Sequence, residues 1–363
     1  MRMRAAPPVA LVAAAVLACG GGSAPGAAEP SAAPVPVGTE RLLAMLPQGA
    51  QVVVEVDLAR LRANPVVGGV VTRALAETVP VDEPAGPPGT AAGAWLRSVL
   101  RGGAGASDPA GPAAAAAADA IRPEPPLAVA DQVVFAAYGV GTAQAATLTV
   151  LAAPRAIADA TRIADGVYAV GPPAWVEQAQ QRVALATTGA AGFAIHPAPE
   201  LAALRGHAMP AAAPGASLRV TAQLSFDARI ALARLTGIDA APAQLSAWGD
   251  VVDDAALVID CDAADPGGAS PGKRSDPARR LAATVRGALG ILAEQPPIRA
   301  LGLPPSLEGA RLVAHGTWVR AIVAVGPAHL RRVVERAAAL LGAPAPPPTS
   351  PAASAPSSGE PSP

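Results

Sequence analysis

Short β-branched runs alternate with helical segments through the middle of this chain, and this alternation limits the folds that it can adopt. Residues 51–56 read QVVVEV, which predicts a strand, and Asp57 follows as a candidate N-cap of a helix. Further strands are predicted at 132–138, 145–151, 167–170, 217–224, 255–261, 307–315 and 319–325, and further helices at 65–78, 154–163, 174–187, 226–235, 277–293 and 327–341. Such a pattern predicts an α+β fold, with helices packed on antiparallel or mixed sheets.

Parts of this pattern recur. Residues 168–185 and 323–340 share a strand, a Gly-Pro pair and a following helix, and residues 55–61 more weakly resemble 225–235. Because similar elements return after roughly 155 to 170 residues, we predict an internal duplication, with one unit at 39–190 and the other at 191–342. Each unit would follow a ferredoxin-like plan, although the helix at 277–293 precedes its hairpin instead of following it. Chance similarity between segments rich in alanine and valine is the alternative.

Three segments lack the large apolar residues that a core requires. Residues 19–38 are rich in Gly, Ala, Pro and Ser, which predicts a flexible tether. Residues 343–363 have a similar composition and are expected to be disordered. A third low-complexity region, at 80–126, is interrupted by a short helical pattern at 92–100 and is expected to be a long excursion from the first unit.

The N-terminal residues predict a secretory signal. Arg2 and Arg4 precede an uncharged apolar run at 9–17, and the small residue Ala18 then precedes Cys19. The run is about half of the ~20 residues that a helix needs to cross a bilayer, so it does not predict a membrane span. An ordinary secretory signal with an incidental cysteine, or a buried helix, would give a similar pattern.

The four residues Val16-Leu17-Ala18-Cys19 resemble the lipobox of bacterial lipoproteins. This resemblance implies that residues 1–18 are removed, that Cys19 is lipidated, and that the body is held at a membrane of the cell envelope. That membrane would be the outer membrane, with the body facing the periplasm or the cell surface. The body itself resembles tandem α/β envelope lipoproteins of high-GC bacteria in general style.

Charge and cysteine content limit the possible partners. The chain has 27 basic and 28 acidic residues, and loss of the leader with its two arginines leaves 25 and 28, a net charge of −3. This near balance gives no electrostatic case for nucleic acid binding. Once Cys19 carries lipid, Cys261 has no cysteine left with which to form an intramolecular disulfide, and we expect it to be buried at the end of a strand.

The sequence does not predict a catalytic group or a cofactor. No GxSxG motif is present. The chain has four histidines, and none of them forms a pair with the spacing of metal ligands: His196, His207, His315 and His329. Residues 267–274, GGASPGKR, match the glycine and lysine spacing of a Walker A motif. Arg274 stands where that motif requires Ser or Thr, so a solvated basic loop is the better interpretation.

Acidic and aromatic residues are the other candidate binding groups. Asp260 and Asp262 are two residues apart on a predicted strand and so share a face, which makes them weak candidates for a calcium site. A strand with one polar face explains the same spacing without a metal. Asp250, Asp253 and Asp254 form a second acidic group. The four tryptophans are expected to anchor the core, at Trp95, Trp175, Trp248 and Trp318.

These observations favour a non-catalytic, lipid-anchored envelope protein that acts as an interaction or scaffold module toward an envelope protein partner. A small-ligand or peptide binding protein, with a cleft between the two duplicated units, is the first alternative. A hydrolase whose Ser, His and Asp meet only in space is the second.

Overall fold

A computed structural model describes residues 39–76, 126–157, 160–187, 199–207, 216–236, 241–252, 256–264, 277–315 and 318–342. The strands in these residues are β1 (Val52–Asp57), β2 (Gln132–Tyr138), β3 (Ala146–Ala152), β4 (Thr161–Ala164), β5 (Val167–Val170), β6 (Leu218–Gln223), β7 (Gln244–Val252), β8 (Ala256–Ala264), β9 (Arg311–His315) and β10 (Trp318–Val325).

Helices connect and cover these strands. Within the described residues they are α1 (Thr39–Ala44), α2 (Leu58–Ala63), α3 (Gly68–Ala76), α4 (Pro126–Val129), α5 (Pro173–Thr187), α6 (Pro199–Arg205), α7 (Phe226–Thr236), α8 (Pro277–Ala293), α9 (Pro296–Leu301), α10 (Pro304–Glu308) and α11 (Pro327–Leu340). The α+β class predicted from the sequence is confirmed.

One antiparallel sheet contains all ten strands, in the order β4-β5-β3-β2-β1-β6-β7-β8-β10-β9. Its central pair is β1 with β6, and Val54 lies opposite Val220 there. We call this central pair the seam. Moving outward from the seam, the first half of the chain contributes its strands in the order 1, 2, 3, 5, 4, and the second half contributes its five strands in the same order.

Side chains alternate between the two faces of the sheet. On β1, Val53 and Glu55 belong to the face that we call the first face, and Val54 and Val56 belong to the second face. The core of the second face extends across both halves of the sheet, from Tyr168 on β5 to Val323 on β10. Apolar packing on the first face is mainly in the first half, beneath α1, α5 and α6.

Local sequence explains several of these elements. The side chain of Asp57 accepts a hydrogen bond from the Arg60 backbone N–H at 2.8 Å, so it caps α2 as predicted. Asn64 ends that helix, and its side-chain oxygen accepts bonds from the backbone N–H groups of Val66 and Val67. At the end of α9, Gly302 has φ of +75°, a left-handed conformation that favours glycine.

Several sequence predictions were wrong in detail. The helix predicted at 154–163 is absent from the described residues of that segment: residues 154–157 are not helical, and Thr161–Ala164 form β4, where Ile163 is buried against the core of the first face. The strand predicted at 307–315 begins only at Arg311, because the residues before it form α10. β7 was not predicted at all. Each half contributes five strands to a continuous sheet, so neither half has the four-stranded ferredoxin-like order.

Candidate functional site

A buried ion pair lies on the first face at the seam. Glu55 is the third-last residue of β1, and its side chain is 4% exposed. Arg205, the last residue of α6, contacts both of its carboxylate oxygens, with Nε 2.6 Å from Oε1 and Nη2 2.8 Å from Oε2. Glu40 on α1 adds a longer contact to Nη1 at 3.4 Å. The pair therefore fixes the end of α6 above the centre of the sheet.

A second arginine lies beside this pair. Arg219 on β6 is directly opposite Glu55 in the strand register. Burial lowers the pKa of Arg219, and the neighbouring charge of Arg205 lowers it further. Burial would also lower the pKa of Arg205, but its hydrogen bonds and charge interactions with Glu55 and Glu40 outweigh that effect, so its pKa is raised. We call Glu40, Glu55, Arg205 and Arg219 the seam cluster.

The first face is polar beyond the seam. Thr221 on β6 and Ser246 on β7 are buried and adjacent in register, and Trp248 on β7 lies opposite Arg219. α6 contacts β6 and β7 and covers part of this surface. Just past α6, the ring of His207 stacks on Trp318 of β10, with a centroid distance of 3.8 Å and an interplanar angle of 21°. α6 and His207 thus link β1, near the middle of the sheet, to β10.

The register places Asp260 and Asp262 on the same face of β8. Asp260 lies opposite Trp248 and Ile322, and Asp262 lies opposite Ser246 and Arg320. The structure does not describe their side chains. Among the residues whose side chains it does describe, no group of three or more His, Cys, Asp or Glu is placed to hold a metal ion.

A second polar cluster lies where β1 ends. The Asp250 carboxylate is 2% exposed and accepts hydrogen bonds from Arg60 Nη2 at 2.5 Å, from Ser217 Oγ at 2.7 Å and from the backbone N–H of Val251 at 3.0 Å. Asp57 lies nearby. Burial raises the pKa of Asp57 and outweighs the opposing effect of the Arg60 N–H, while the charges of Asp131 and Asp250 raise the pKa further.

One serine and one histidine meet between α10 and α11. His329 Nδ1 lies 3.2 Å from Ser306 Oγ, and His329 Nε2 lies 2.7 Å from the carbonyl oxygen of Gly302. Because a carbonyl can only accept, Nε2 must carry the proton, and Nδ1 of the neutral ring can accept from Ser306. Nε2 of His329 therefore donates to a backbone carbonyl, whereas the histidine of a Ser-His-Asp triad donates to a carboxylate. This contact ties two helices together.

Three of the four tryptophans expected to anchor the core lie in the described residues. Trp175 stacks on Tyr138 with a centroid distance of 4.0 Å, and Trp248 is 3% exposed, so both are core residues as predicted. Trp318 is half-buried in the stack with His207. The remaining predictions on Cys19, Trp95, His196, the 267–274 loop and the pair Asp253 and Asp254 lie outside the described residues.

The sequence prediction did not identify the seam cluster, although a signal was present. Glu55 interrupts a run of valines on a central strand, and a charge at such a position requires a buried partner. Its partner Arg205 lies 150 residues away on α6, a helix that was not predicted. Both carboxylate oxygens of Glu55 are occupied by Arg205, so this pair can position α6 but is poorly suited to accept a proton from a substrate.

Comparisons with known proteins give little further guidance. No family model matches the chain, and a search of curated proteins returned no match. Crystal form I of TP0453, a Treponema protein, aligns with 80% of this chain and 95% of its own length, at 7% identity and a TM-score of 0.32. A similarity at this level carries no argument about fold or function. No helix in the described part of the chain is long and apolar enough to cross a membrane.

Proposed function

We propose that this protein is a non-catalytic lipoprotein of the cell envelope that acts as an interaction or scaffold module. The observation that carries the proposal is the order of residues at the N-terminus, where a basic start, an apolar run and the small residue Ala18 lead to Cys19. Lipid on Cys19 would hold the body at a membrane, at the outer membrane in our proposal, with residues 19–38 as the tether.

The chemistry of the described polar groups supports a binding role over a catalytic one. Glu55 is paired with Arg205, Asp250 with Arg60 and Ser217, and His329 with a backbone carbonyl. Each of these groups is committed to contacts that hold the fold together. Surface contacts with another envelope protein are then the activity that this body is best suited to perform.

We further propose that the two halves, at 39–190 and 191–342, arose by internal duplication. The support is the matching strand order on either side of the seam. Helices α1 and α6 precede β1 and β6, and helices α5 and α11 follow β5 and β10, in corresponding places along the chain. The correspondence has a limit, because α5 packs on the first face while α11 packs on the second.

The alternative function is binding of a small ligand or peptide between the halves. The seam cluster favours it, because buried Glu55 and half-buried Arg219 come from different halves and lie opposite each other in the strand register. A ligand that binds there is expected to raise the melting temperature of the protein, whereas a pure scaffold would show no such response to small molecules.

The lipid anchor can be tested with a matched control, because the chain has two cysteines. In cells labelled with palmitate, the wild-type and Cys261→Ala proteins are expected to carry label, and Cys19→Ala is expected to lose it. Label that persists in Cys19→Ala, or a mature N-terminus at another residue, would refute the proposal.

The interaction role requires a second experiment. Affinity capture with the tagged lipoprotein from crosslinked intact envelopes is expected to recover one protein in stoichiometric amount. Failure to recover a partner, together with ligand-dependent stabilisation, would favour the alternative.

A further inference from the structure

Charge is distributed unevenly along the chain. Residues 277–342 contain nine arginines and three glutamates, a net charge of +6, whereas residues 39–276 contain 16 basic and 23 acidic residues, a net charge of −7. The near neutrality of the whole chain conceals this separation. A segment of such strongly positive charge has an electrostatic preference for anionic partners.

The basic segment forms a helical layer over the second face. α8 packs on β9 and β10 and contacts α9, which in turn contacts α11. Seven arginines on these three helices are exposed: Arg279, Arg280, Arg286, Arg299, Arg331, Arg332 and Arg336. We call these seven residues the arginine surface.

The amphipathic pattern of the helices sets the direction of these arginines. On α11 the apolar side is formed by Leu330, Val334 and Ala337, which are buried in the core of the second face. Arg331 and Arg332 therefore lie on the outer side of the helix. The acidic residues of the layer are few, and Glu294 forms an exposed ion pair with Arg299 at 3.5 Å.

We propose that the arginine surface binds the phosphate groups of an anionic phospholipid bilayer. The guanidinium group suits this ligand, because its planar set of donors can make two parallel hydrogen bonds to a phosphate. Basic residues near an anionic membrane each contribute to the attraction, and a lipid chain combined with a basic patch gives firmer attachment than either alone.

This inference rests on the proposed lipid anchor. The length of the tether allows the lipid on Cys19 and the arginine surface to contact the same bilayer at once. The 20 residues of 19–38 can span at most about 70 Å. The sheet, with ten strands, is only about 43 Å wide. A body tethered through Cys19 can therefore turn the arginine surface to the same bilayer, which leaves the first face directed away from the membrane. Tethering would make this second contact effectively intramolecular.

The test measures binding to vesicles of the purified full chain without its leader, residues 19–363, carrying Cys19→Ala, so that neither the leader nor a lipid can contribute. Vesicles of phosphatidylcholine alone are compared with vesicles that also contain phosphatidylglycerol. The charge variant is Arg286→Gln, Arg331→Gln, Arg332→Gln. The control is Arg41→Gln, Arg155→Gln, Arg162→Gln, which removes three exposed arginines outside the arginine surface. A third variant, Arg286→Lys, Arg331→Lys, Arg332→Lys, retains the charge.

The full chain is expected to prefer the anionic vesicles, with an affinity that falls as salt rises. The charge variant is expected to bind them on the order of a hundredfold more weakly, and the control almost as the parent does. The lysine variant is expected to bind between these two, because lysine keeps the charge but cannot make two parallel hydrogen bonds to a phosphate. Circular dichroism spectra that match the parent establish that each variant is folded. Equal binding to both vesicle types, equal losses in the charge variant and the control, or binding to an acidic protein or nucleic acid without binding to vesicles would overturn the proposal. Because Cys19 is absent throughout, these results are independent of the palmitate experiment.

Discussion

Arg205 holds both carboxylate oxygens of Glu55, at 2.6 and 2.8 Å, on a strand whose neighbouring residues are valines. The charge of Glu55 is thus neutralised at the centre of a ten-stranded sheet by a helix that comes from much later in the chain. The pair couples the position of α6 to the seam.

Removing one partner of this pair is expected to be costly. Arg205→Ala would leave the Glu55 carboxylate buried without its main donor, and we expect the free energy of unfolding to fall by about 3 kcal/mol. Urea denaturation measures this change. Replacing both residues by methionine should be less harmful, because the buried Glu55 carboxylate is then no longer left without its main donor. The exposed pair of Arg162 and Asp165 provides the control, and Arg162→Ala should change stability by less than about 0.5 kcal/mol. A similar small effect for Arg205→Ala would contradict the buried pair.

Removing Asp250 is expected to lower the free energy of unfolding more than removing its partner Arg60. Asp250→Ala removes the acceptor of Ser217, a fully buried residue, and of Arg60, so we expect a loss of about 3 kcal/mol. Arg60→Ala should cost only about 1 kcal/mol, because the arginine side chain is 35% exposed and Asp250 keeps its bonds to Ser217 and Val251. Thermal and urea denaturation of both variants would check the order, and a larger loss in Arg60→Ala than in Asp250→Ala would contradict the expected contribution of Ser217 and Val251 as donors to Asp250.

Asp57 predicts a pH dependence of stability. Burial raises its pKa in the folded protein above the ordinary value of 3.8. Between 3.8 and the raised value, the folded state holds a proton that the unfolded chain has lost, so the free energy of unfolding falls as pH rises through this window. At pH values above this window, the buried carboxylate of Asp57 is ionised and lowers the free energy of unfolding. Asp57→Asn keeps an N-cap acceptor and should become more stable relative to wild type as pH is raised from 3 to 7.

Asp57→Ala separates capping from charge. It should be less stable than Asp57→Asn by about 1 kcal/mol across that pH range, because it also loses the cap of α2. If the stabilities of Asp57→Asn and wild type differed by the same amount at every pH, the pKa of Asp57 would not be raised.

Two glycines test the contact between the β2–β3 turn and α7. Gly49 and Gly141 both have positive φ, at +88° and +85°, so alanine is strained at either position. A Cβ at Gly49 meets no atom within 4 Å, whereas one at Gly141 would lie 2.8 Å from the backbone oxygen of Asp227. We expect a loss of about 1 kcal/mol for Gly49→Ala and a clearly larger loss for Gly141→Ala, measured by urea denaturation. Equal losses would mean that the turn does not pack on α7.

The contact between Ser306 and His329 gives a prediction about reactivity. A serine-reactive probe is expected to leave Ser306 unlabelled, because its hydroxyl is buried and the histidine is held by the Gly302 carbonyl. His329→Ala should lower the free energy of unfolding by about 1 kcal/mol through loss of these hydrogen bonds. Labelling of Ser306 that disappears in His329→Ala would instead favour the hydrolase alternative.

Local patterns in the sequence predicted many of the elements but not their arrangement. The long amphipathic helices at 277–293 and 327–341 were predicted almost to the residue, because their apolar spacing extends over several turns. β7 was missed because QLSAWGDVV has few β-branched residues and includes glycine and aspartate. Its pairing with β6 and β8 outweighs this weak local preference. The helix predicted at 154–163 was wrong because Thr161–Ala164 pairs with β5 as a strand. No local sequence pattern indicates that pairing.

The candidate site was harder to predict than the fold. A lone glutamate within QVVVEV indicates a buried charge, but only the positions of α6 and β6 identify Arg205 and Arg219 as its neighbours. The arginine surface was hidden for a different reason. A net charge for the whole chain averages over opposite signs, and the excess of arginine emerges only when residues 277–342 are counted apart.

The register of the seam has a consequence for how the chain folds. Val52 pairs with Ala222, which lies 170 residues further along, so the middle of the sheet joins segments that are synthesised far apart in time. During synthesis β1 can pair with β2, but its other edge stays open until β6, the first strand of the second half, has emerged. Such a high contact order predicts slow folding and a prolonged exposure to aggregation, during which a chaperone could protect the valine-rich edge.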